Sequence, residues 1–439
     1  MRRDYLSKMV TPEEAAKAVQ SGDYVDYGFG AGFPELMDKA LAARRDELRD
    51  VKIRGGLVIR PWIEAVECDP EQKAFTYYSW HIGDYERKLQ SRGLVRFMPM
   101  ILRYLPELYR NHIRVDVAFV PVSRPDENGY CGLGIGNYAW RTIFENARTV
   151  VFEINEHFPM LQGPDELHRV HLSEADYIVE GEHEPLPIRT YKDPSETEIK
   201  IAEHVMKEIP NGAVLSLGVG GVPFTVANMI AQSDLQDLGC HTGTISDAFL
   251  AIYKAGKLTN AKKEIDTGRS TWNLAMGSEE FYDWLRNEPD IFRPGDVDYV
   301  HSPERIAKMS NVISINGGVE LDLMGQENAE SAGTRQLSGT GGQLDFLEGA
   351  FRSKGGKGFI CLASTHKKKD GSLKSNIVPF IPGGSTVSAP RGMIQYVATE
   401  YGVAKLSGLT LLERATAMAE IAHPDFREEL MRYAEENYK

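Results

Sequence analysis

Cysteine is scarce in this chain. Cys68, Cys131, Cys240 and Cys361 are the only four in 439 residues, and no CxxC or CxxxC spacing occurs. That excludes a disulfide scaffold and a cysteine metal clip, and the four read as buried or free thiols of a reducing compartment. No two histidines have metal-ligand spacing, so no metal is expected. No window approaches the ~20 apolar residues of a membrane span. The N-terminal MRRDYLSKMVTPEEAAK is charged and has no apolar stretch of signal-peptide length, so a cytoplasmic protein that does not engage a membrane is expected. Basic charge is also in deficit, with 50 Lys and Arg against 63 Asp and Glu and a net charge of −13. A surface of that sign repels polyphosphate, which argues against nucleic acid as a partner.

What is present is the profile of an ordinary globular protein, 42% hydrophobic and 26% charged, long enough for two or three domains. Thr11-Pro12-Glu13-Glu14 offers an N-cap, an N1 proline and a capping-box glutamate for a short helix ending at Ser21-Gly22. A strand and a Gly-rich turn, DYVDYGFGAGFP, and a second helix follow. The same grammar returns at Asp193-Pro194-Ser195-Glu196. Here a helix carries Ile199, Ala202, Val205, Met206 and Ile209 on one face, then come Asn211-Gly212, the strand AVLSL, the turn GVGGVP and FTVANMIAQ. Gly22 and Gly212, Gly28 and Gly218, and Gly30 and Gly220 are each 190 residues apart. We read two related α/β domains in tandem, residues 1–185 and 194–439, joined by the polar, Pro-containing stretch EHEPLPIRTYKD. Further apolar runs at 115–122, 149–155, 176–181, 311–316, 358–364 and 395–402 predict mostly parallel, buried strands alternating with helices. Two C-terminal helices are expected to break at His423-Pro424.

Three segments carry candidate chemistry. Gly218-Val219-Gly220-Gly221-Val222-Pro223 stands between strand and helix, where backbone N–H groups can cradle a phosphate or carbonyl oxygen. It lacks the Gly-Lys-Ser/Thr of a P-loop and the third glycine of a dinucleotide fingerprint. Ser338-Gly339-Thr340-Gly341-Gly342-Gln343 is the most glycine-dense stretch. Its glycines mark a close backbone approach, either to another strand or to a ligand held by the Gly341, Gly342 and Gln343 amides as an oxyanion site. Lys367-Lys368-Lys369-Asp370-Gly371-Ser372 reads as a hairpin tip, and in so acidic a chain three clustered lysines also suit an anionic ligand.

Taken in order, RPDENGYCGLG, VVFEIN, LSLGVGGVPFTVA, DLGCHTGTISD, VISINGGVELDLMGQ, GTRQLSGTGGQLDFLEGA, KKKDGSLKSNIVP, TEYGVAKLSG and IAHPDFREEL resemble the family I CoA-transferases. The resemblance is to the acetyl-CoA hydrolase/transferase branch, which includes 4-hydroxybutyrate, butyryl and succinyl CoA-transferases. It implies two similar α/β domains and transfer of CoA between an acyl-CoA and a short-chain carboxylate. It implies no permanently bound cofactor, with coenzyme A entering as substrate, and a homodimer or higher oligomer, or a heteromer with an intact homologue. In the family a glutamate attacks the thioester, giving an acyl-glutamyl anhydride and then a glutamyl-CoA thioester. By the same resemblance Gly341 and Gly342 hold the thioester oxygen and Asn316 faces the nucleophile. Gly218 to Pro223 wall the acyl group, and Gln343, Lys367, Lys368 and Asn376 join the CoA contacts.

One position departs from the family. Where its motif reads His-Thr/Ser-Glu-Met-Ile/Leu-Ser-Asp, this chain reads His241-Thr242-Gly243-Thr244-Ile245-Ser246-Asp247, and glycine has no carboxylate to acylate. The expected activities are therefore transfer by direct attack of the incoming acid in a ternary complex, hydrolysis of acyl-CoA, or binding without turnover. The space left at Gly243, beside Asn316 and the Gly341-Gly342 amides, is expected to be a polar gap holding water or a ligand carboxylate.

Overall fold

The computed structural model describes residues 5–161 and 168–439; residues 1–4 of the charged N-terminal stretch lie outside them. The chain forms two compact units. Unit 1 comprises Met1–Arg189 and Thr271–Val300, and unit 2 comprises Thr190–Ser270 and His301–Lys439.

Unit 1 is built on β1 (Tyr24–Phe29), β2 (Val51–Gly56), β3 (Phe75–Ser79), β4 (Val95–Phe97), β5 (Val117–Val122), β6 (Thr149–Ile154) and β7 (Tyr177–Glu180), in the order β4-β3-β2-β1-β5-β6-β7. Every pairing is parallel. β5 is buried at all six positions, as the unbroken run VAFVPV requires when helices cover both faces. One core cluster gathers Val25, Tyr27, Met37 and Ile53, and a second gathers Phe29, Trp80, Val120 and Phe152.

Leu274, Met276 and Val297 belong to that second cluster, and this corrects the reading of residues 194–439 as one uninterrupted domain. Apolar burial and backbone bonds, Ala275 N–H to the Ile135 carbonyl at 2.9 Å and Val297 N–H to the Tyr138 carbonyl at 2.9 Å, return residues 271–300 to unit 1.

In unit 2, β8 (Val214–Leu217), β9 (Gly239–Cys240), β10 (Val312–Gly317), β11 (Lys357–Cys361), β12 (Tyr396–Thr399) and β13 (Gly402–Lys405) form a sheet in the order β9-β8-β10-β11-β12-β13. The first five strands are parallel. The run at 395–402 is not one strand: the chain turns at Glu400-Tyr401, and β13 pairs antiparallel with β12. The expected break between the last two helices is found, with Leu411–Glu420 ending before His423 caps Pro424–Asn437. Ser195, like Thr11, forms a reciprocal capping box, accepting from Glu198 N–H while Glu198 accepts from Ser195 N–H at 2.7 Å.

The 190-residue register holds best at Gly22 and Gly212. Both take left-handed φ values, +86° and +71°, at the turn before β1 and β8. Gly28 and Gly30 are also left-handed, whereas Gly218 and Gly220 are not, so the Gly-rich turns of the two units are locally different structures.

One buried polar knot spans the unit 1 sheet. Asp26 on β1 accepts from Arg54 on β2 at 2.8 Å and from the hydroxyls of Tyr109 at 2.7 Å and Tyr138 at 3.0 Å. Burial pushes the Asp26 carboxyl up, and Arg54 beside it counters that shift. Removing one partner of such a pair leaves an uncompensated buried charge. Arg54→Met is therefore expected to lower unfolding free energy by about 3–5 kcal/mol near neutral pH. The loss should shrink in acid, where Asp26 can take up a proton, and denaturant unfolding across pH measures both.

Candidate active site at the carboxyl ends of the second sheet

The strand order β9-β8-β10-β11-β12 reverses direction between β8 and β10, and an open α/β sheet has its crevice at the carboxyl ends of the strands flanking such a reversal. A cavity of about 430 Å³ lies there. It is bounded by Val219–Pro223 after β8, Gly317 and Gly318 at the end of β10, Cys361–Ala363 after β11, and Glu198 from the helix Glu196–Met206.

The segment expected as one loop, Gly218 to Pro223, is only half loop. Gly221, Val222 and Pro223 form the first turn of the helix Gly221–Gln232, whose leading N–H groups have no intrahelical acceptor and face the cavity end of the helix. A Cβ on Gly221 would lie 1.7 Å from Glu198 Oε1, and one on Gly218 would lie 3.1 Å from the Ile315 carbonyl oxygen. Asn316 sits against that same glycine, with Oδ1 3.5 Å from the Cβ position. Its Nδ2 donates to Ser314 Oγ at 2.9 Å, two residues back on the same face of β10.

The space in front of Gly243 is not a polar gap. The imidazole of His301 and the ring of Phe346 fill it: a Cβ at 243 would meet His301 Cε1 at 3.0 Å, Nε2 at 3.1 Å and Phe346 Cε2 at 3.6 Å. The adjoining Nδ1–Cε1 edge of the same imidazole lies on Gly342, where a Cβ would come within 2.1 Å of Cε1 and 2.3 Å of Nδ1. Asp345, one turn into the helix Gln343–Arg352, holds the ring through a 3.1 Å contact from Oδ2 to Nδ1. Both side chains are buried. What approaches the glycine-dense segment is therefore a histidine ring. Gly341 adds the second local demand, a φ of +57° just before the helix begins.

Two buried glutamates hold that segment from beneath. Gln343 Nε2 donates to both carboxylate oxygens of Glu327 at 2.7 Å, and Glu330 accepts from Gln336 Nε2 at 3.0 Å and from Thr340 Oγ1 at 3.3 Å. Burial pushes the Glu327 carboxyl up to about 8, reinforced by Glu330 and opposed by Gln343. Its Oε1 lies 3.1 Å from the Cβ position of Gly318, so a carboxyl that is neutral near pH 7 backs the cavity wall. Burial likewise pushes Cys361 up to about 12, which keeps a thiol, not a thiolate, on that wall.

Lys367 and Lys368 lie at the exposed end of a hairpin formed by Thr365–Lys367 and Leu373–Ser375. The strands are short and mostly polar. Asn376 Nδ2 donates to the Ala363 carbonyl at 2.8 Å, tying the base of the hairpin to the cavity rim. The structure thus places Val219–Pro223 on the cavity wall, with Asn316 beside Gly218 and Asn376 bonded to Ala363 at its rim, and sets Gly243, Gly342 and Gln343 around His301 and Glu327. Both lysines stand outside these contacts. His301 and Asp345 lie 44 residues apart in sequence, and neither was legible as a site residue: no local spacing links a histidine before a helix cap to an aspartate inside another helix.

Comparison with known proteins covers both halves. Models of the acetyl-CoA hydrolase/transferase N-terminal and C-terminal domains match residues 1–189 and 277–434. A butyryl-CoA:acetate CoA-transferase of Anaerostipes caccae is 43% identical over 437 residues, covering 99% of this chain and 97% of its own. Among solved structures, RipA from Yersinia pestis aligns with a TM-score of 0.89 at 35% identity, over 99% of this chain and 98% of its own. A 4-hydroxybutyrate CoA-transferase from Porphyromonas gingivalis aligns at 0.79 and 30% identity over the full length of both.

Two stability measurements test this geometry. Gly342→Ala is expected to cost about 1–3 kcal/mol by overpacking His301, Gly243→Ala less, and both penalties should largely vanish in a His301→Ala background. Glu327 is pushed up to about 8 from an unfolded value of about 4.3, so the native state binds the extra proton between those values and stability falls as pH rises through them. Glu327→Gln removes that loss. Its gain over the parent in thermal unfolding should be small near pH 4 and grow to at most a few kcal/mol above about pH 8.

Proposed function

The chain belongs to the acetyl-CoA hydrolase/transferase family, and from that membership we propose that it is an acyl-CoA:carboxylate CoA-transferase acting on short-chain acids of the acetate, butyrate and 4-hydroxybutyrate type. The observation that carries this reading is near-complete coverage at 43% identity by a butyryl-CoA:acetate CoA-transferase, joined to a cavity at the reversal of strand order in unit 2. The cavity suits an acyl-pantetheine end: backbone and small apolar side chains alternate on its walls with the polar Ser195, Thr197 and Glu198. First-turn N–H groups of the helix at Gly221 and the amides of Gly341 and Gly342 are the donors for a thioester oxygen that gains charge. Lys367 and Lys368 stand ready for the phosphates of CoA, as cations in a chain of net charge −13.

In this reading Gly243 occupies the place of the family's glutamate, so residue 243 forms no anhydride. The incoming carboxylate attacks the bound thioester itself. Its oxygen bonds to the acyl carbon, and the C–S bond breaks with its electron pair leaving on CoA sulfur, giving a mixed anhydride and thiolate. The thiolate then attacks the other carbonyl, and the first acid leaves as its carboxylate. Both steps need acyl-CoA and acid together, and holding them in one crevice supplies the rate advantage of an intramolecular reaction.

Incubation with butyryl-CoA and labelled acetate should yield labelled acetyl-CoA. Initial rates with both substrates varied should give intersecting double-reciprocal lines, whereas parallel lines would mean a covalent carboxylate elsewhere. Absence of label in acetyl-CoA would remove the transferase reading.

A further inference from the structure

Among the described residues that bound the cavity of unit 2, Glu198 alone carries a formal charge. It stands in the first turn of the helix Glu196–Met206, held by the capping box that begins that helix. Oε2 takes both bonds of the box, from the Ser195 N–H at 2.7 Å and from the Ser195 hydroxyl at 2.8 Å. Oε1 lies over Gly221, where a Cβ would overlap it and sit 2.6 Å from Cδ. Gly221 does not have a left-handed φ, so what this position demands of its residue is room for the carboxylate. Among the described residues Oε1 accepts no hydrogen bond, and no cation pairs with the group. The first-turn N–H groups at Gly221 donate nothing to it and stay open to a thioester oxygen. Capping employs one oxygen of Glu198; the other is a free acceptor on the cavity wall.

We propose that Glu198 sets the acyl specificity of this site, favouring acyl groups that carry a hydroxyl or an ammonium and rejecting those that carry a second carboxylate. The inference rests on the reading that the acyl end of CoA binds in this cavity, and it narrows the class of acid transferred. A hydroxyl or ammonium gives a proton to Oε1 and replaces the water that solvates it. A plain alkyl chain displaces that water and leaves the oxygen unpartnered, while a carboxylate brings like charge and no proton. Thr197 can donate or accept and so selects neither. Cys361, whose thiol is pushed up to about 12 by burial, adds no opposing charge. Glu198 makes and breaks no covalent bond in this role.

Affinities of the full chain for butyryl-, 3-hydroxybutyryl-, 3-aminobutyryl- and succinyl-CoA are measured by calorimetric titration without an acceptor acid, and transfer of labelled acetate is followed separately. Hydrogen bonds to a charged group discriminate by about 10-fold to 100-fold, and a half-buried carboxylate belongs at the lower end. The parent is therefore expected to bind the hydroxy and amino thioesters about 10-fold more tightly than butyryl-CoA, and succinyl-CoA more weakly than butyryl-CoA. Glu198→Gln keeps the shape, and its amide oxygen can still accept from Ser195, while its amide nitrogen presents a donor. In that variant the amino thioester should lose its advantage and succinyl-CoA should bind at least as well as butyryl-CoA. Each comparison is a ratio within one protein, so a general loss of affinity cancels. Gly221→Ala leaves the charge and pushes the carboxylate from its place, and it should shrink the same ratios. If Glu198→Gln does not fold, the order in the parent and in Gly221→Ala decides the matter.

Equal affinities of the parent for the four thioesters would overturn the proposal. So would a Glu198→Gln protein with a lower melting temperature and unchanged ratios, the signature of a carboxylate that only caps its helix. Reduction of Glu198 by borohydride after incubation with butyryl-CoA would overturn it as well, by making the group a reagent. The expected order without labelled acetyl-CoA would sink the transferase reading and leave this inference standing; labelled transfer without that order would do the reverse.

Discussion

The imidazole of His301, wedged between two glycine backbones and tethered to one aspartate, is the constraint around which unit 2 is arranged. Gly342 must lack a side chain because the ring lies where its Cβ would be. Gly243 faces the same ring 3.0 Å from its own Cβ position, so the turn after β9 and the start of the helix Gln343–Arg352 meet on one side chain. Asp345 supplies the tether from that helix, and Phe346 beside it packs on the ring. Moving the ring would shift two chain segments at once, so a longer side chain at 243 would have to displace it.

Electrostatics give the crevice its second property. Behind its wall at Gly318 lies Glu327, which accepts from the Gln343 amide, and Glu330 nearby accepts from an amide and hydroxyls; among the described residues neither carboxylate has a cationic partner within 4 Å. In a buried site with such partners the neutral form is favoured, which is the direction found for Glu327. An anionic acid entering the crevice is thereby spared the repulsion that an ionised Glu327 would exert. The N–H groups at the start of the helix Gly221–Gln232, on the cavity wall, give that wall a field that favours negative charge.

Much of the fold was legible in the sequence because its signals are local. Thr11, Ser195 and Thr410 each cap a helix with a glutamate three residues on, and the buried run at 117–122 reads as a central strand without reference to any neighbour. Gly22 and Gly212 mark the repeat because both turns need the same left-handed residue. Legibility failed where tertiary contact decides. Residues 271–300 were assigned by sequence order, yet their apolar side chains complete a core begun more than 150 residues earlier. The Glu400-Tyr401 turn reversed a segment that propensity alone extended. At the site, the glycines were visible and their reason was not. A glycine states only that something comes close, and here it was His301, whose own neighbourhood in sequence carries no sign of it.

The most direct test of transfer without a covalent carboxylate is itself covalent. The intact chain is incubated with butyryl-CoA, reduced with borohydride and mapped by peptide mass spectrometry. The account predicts no acidic residue converted to its alcohol, in the peptide containing Gly243 or in any other. A carboxylate reduced only when butyryl-CoA was present would identify a glutamyl or aspartyl thioester and contradict it.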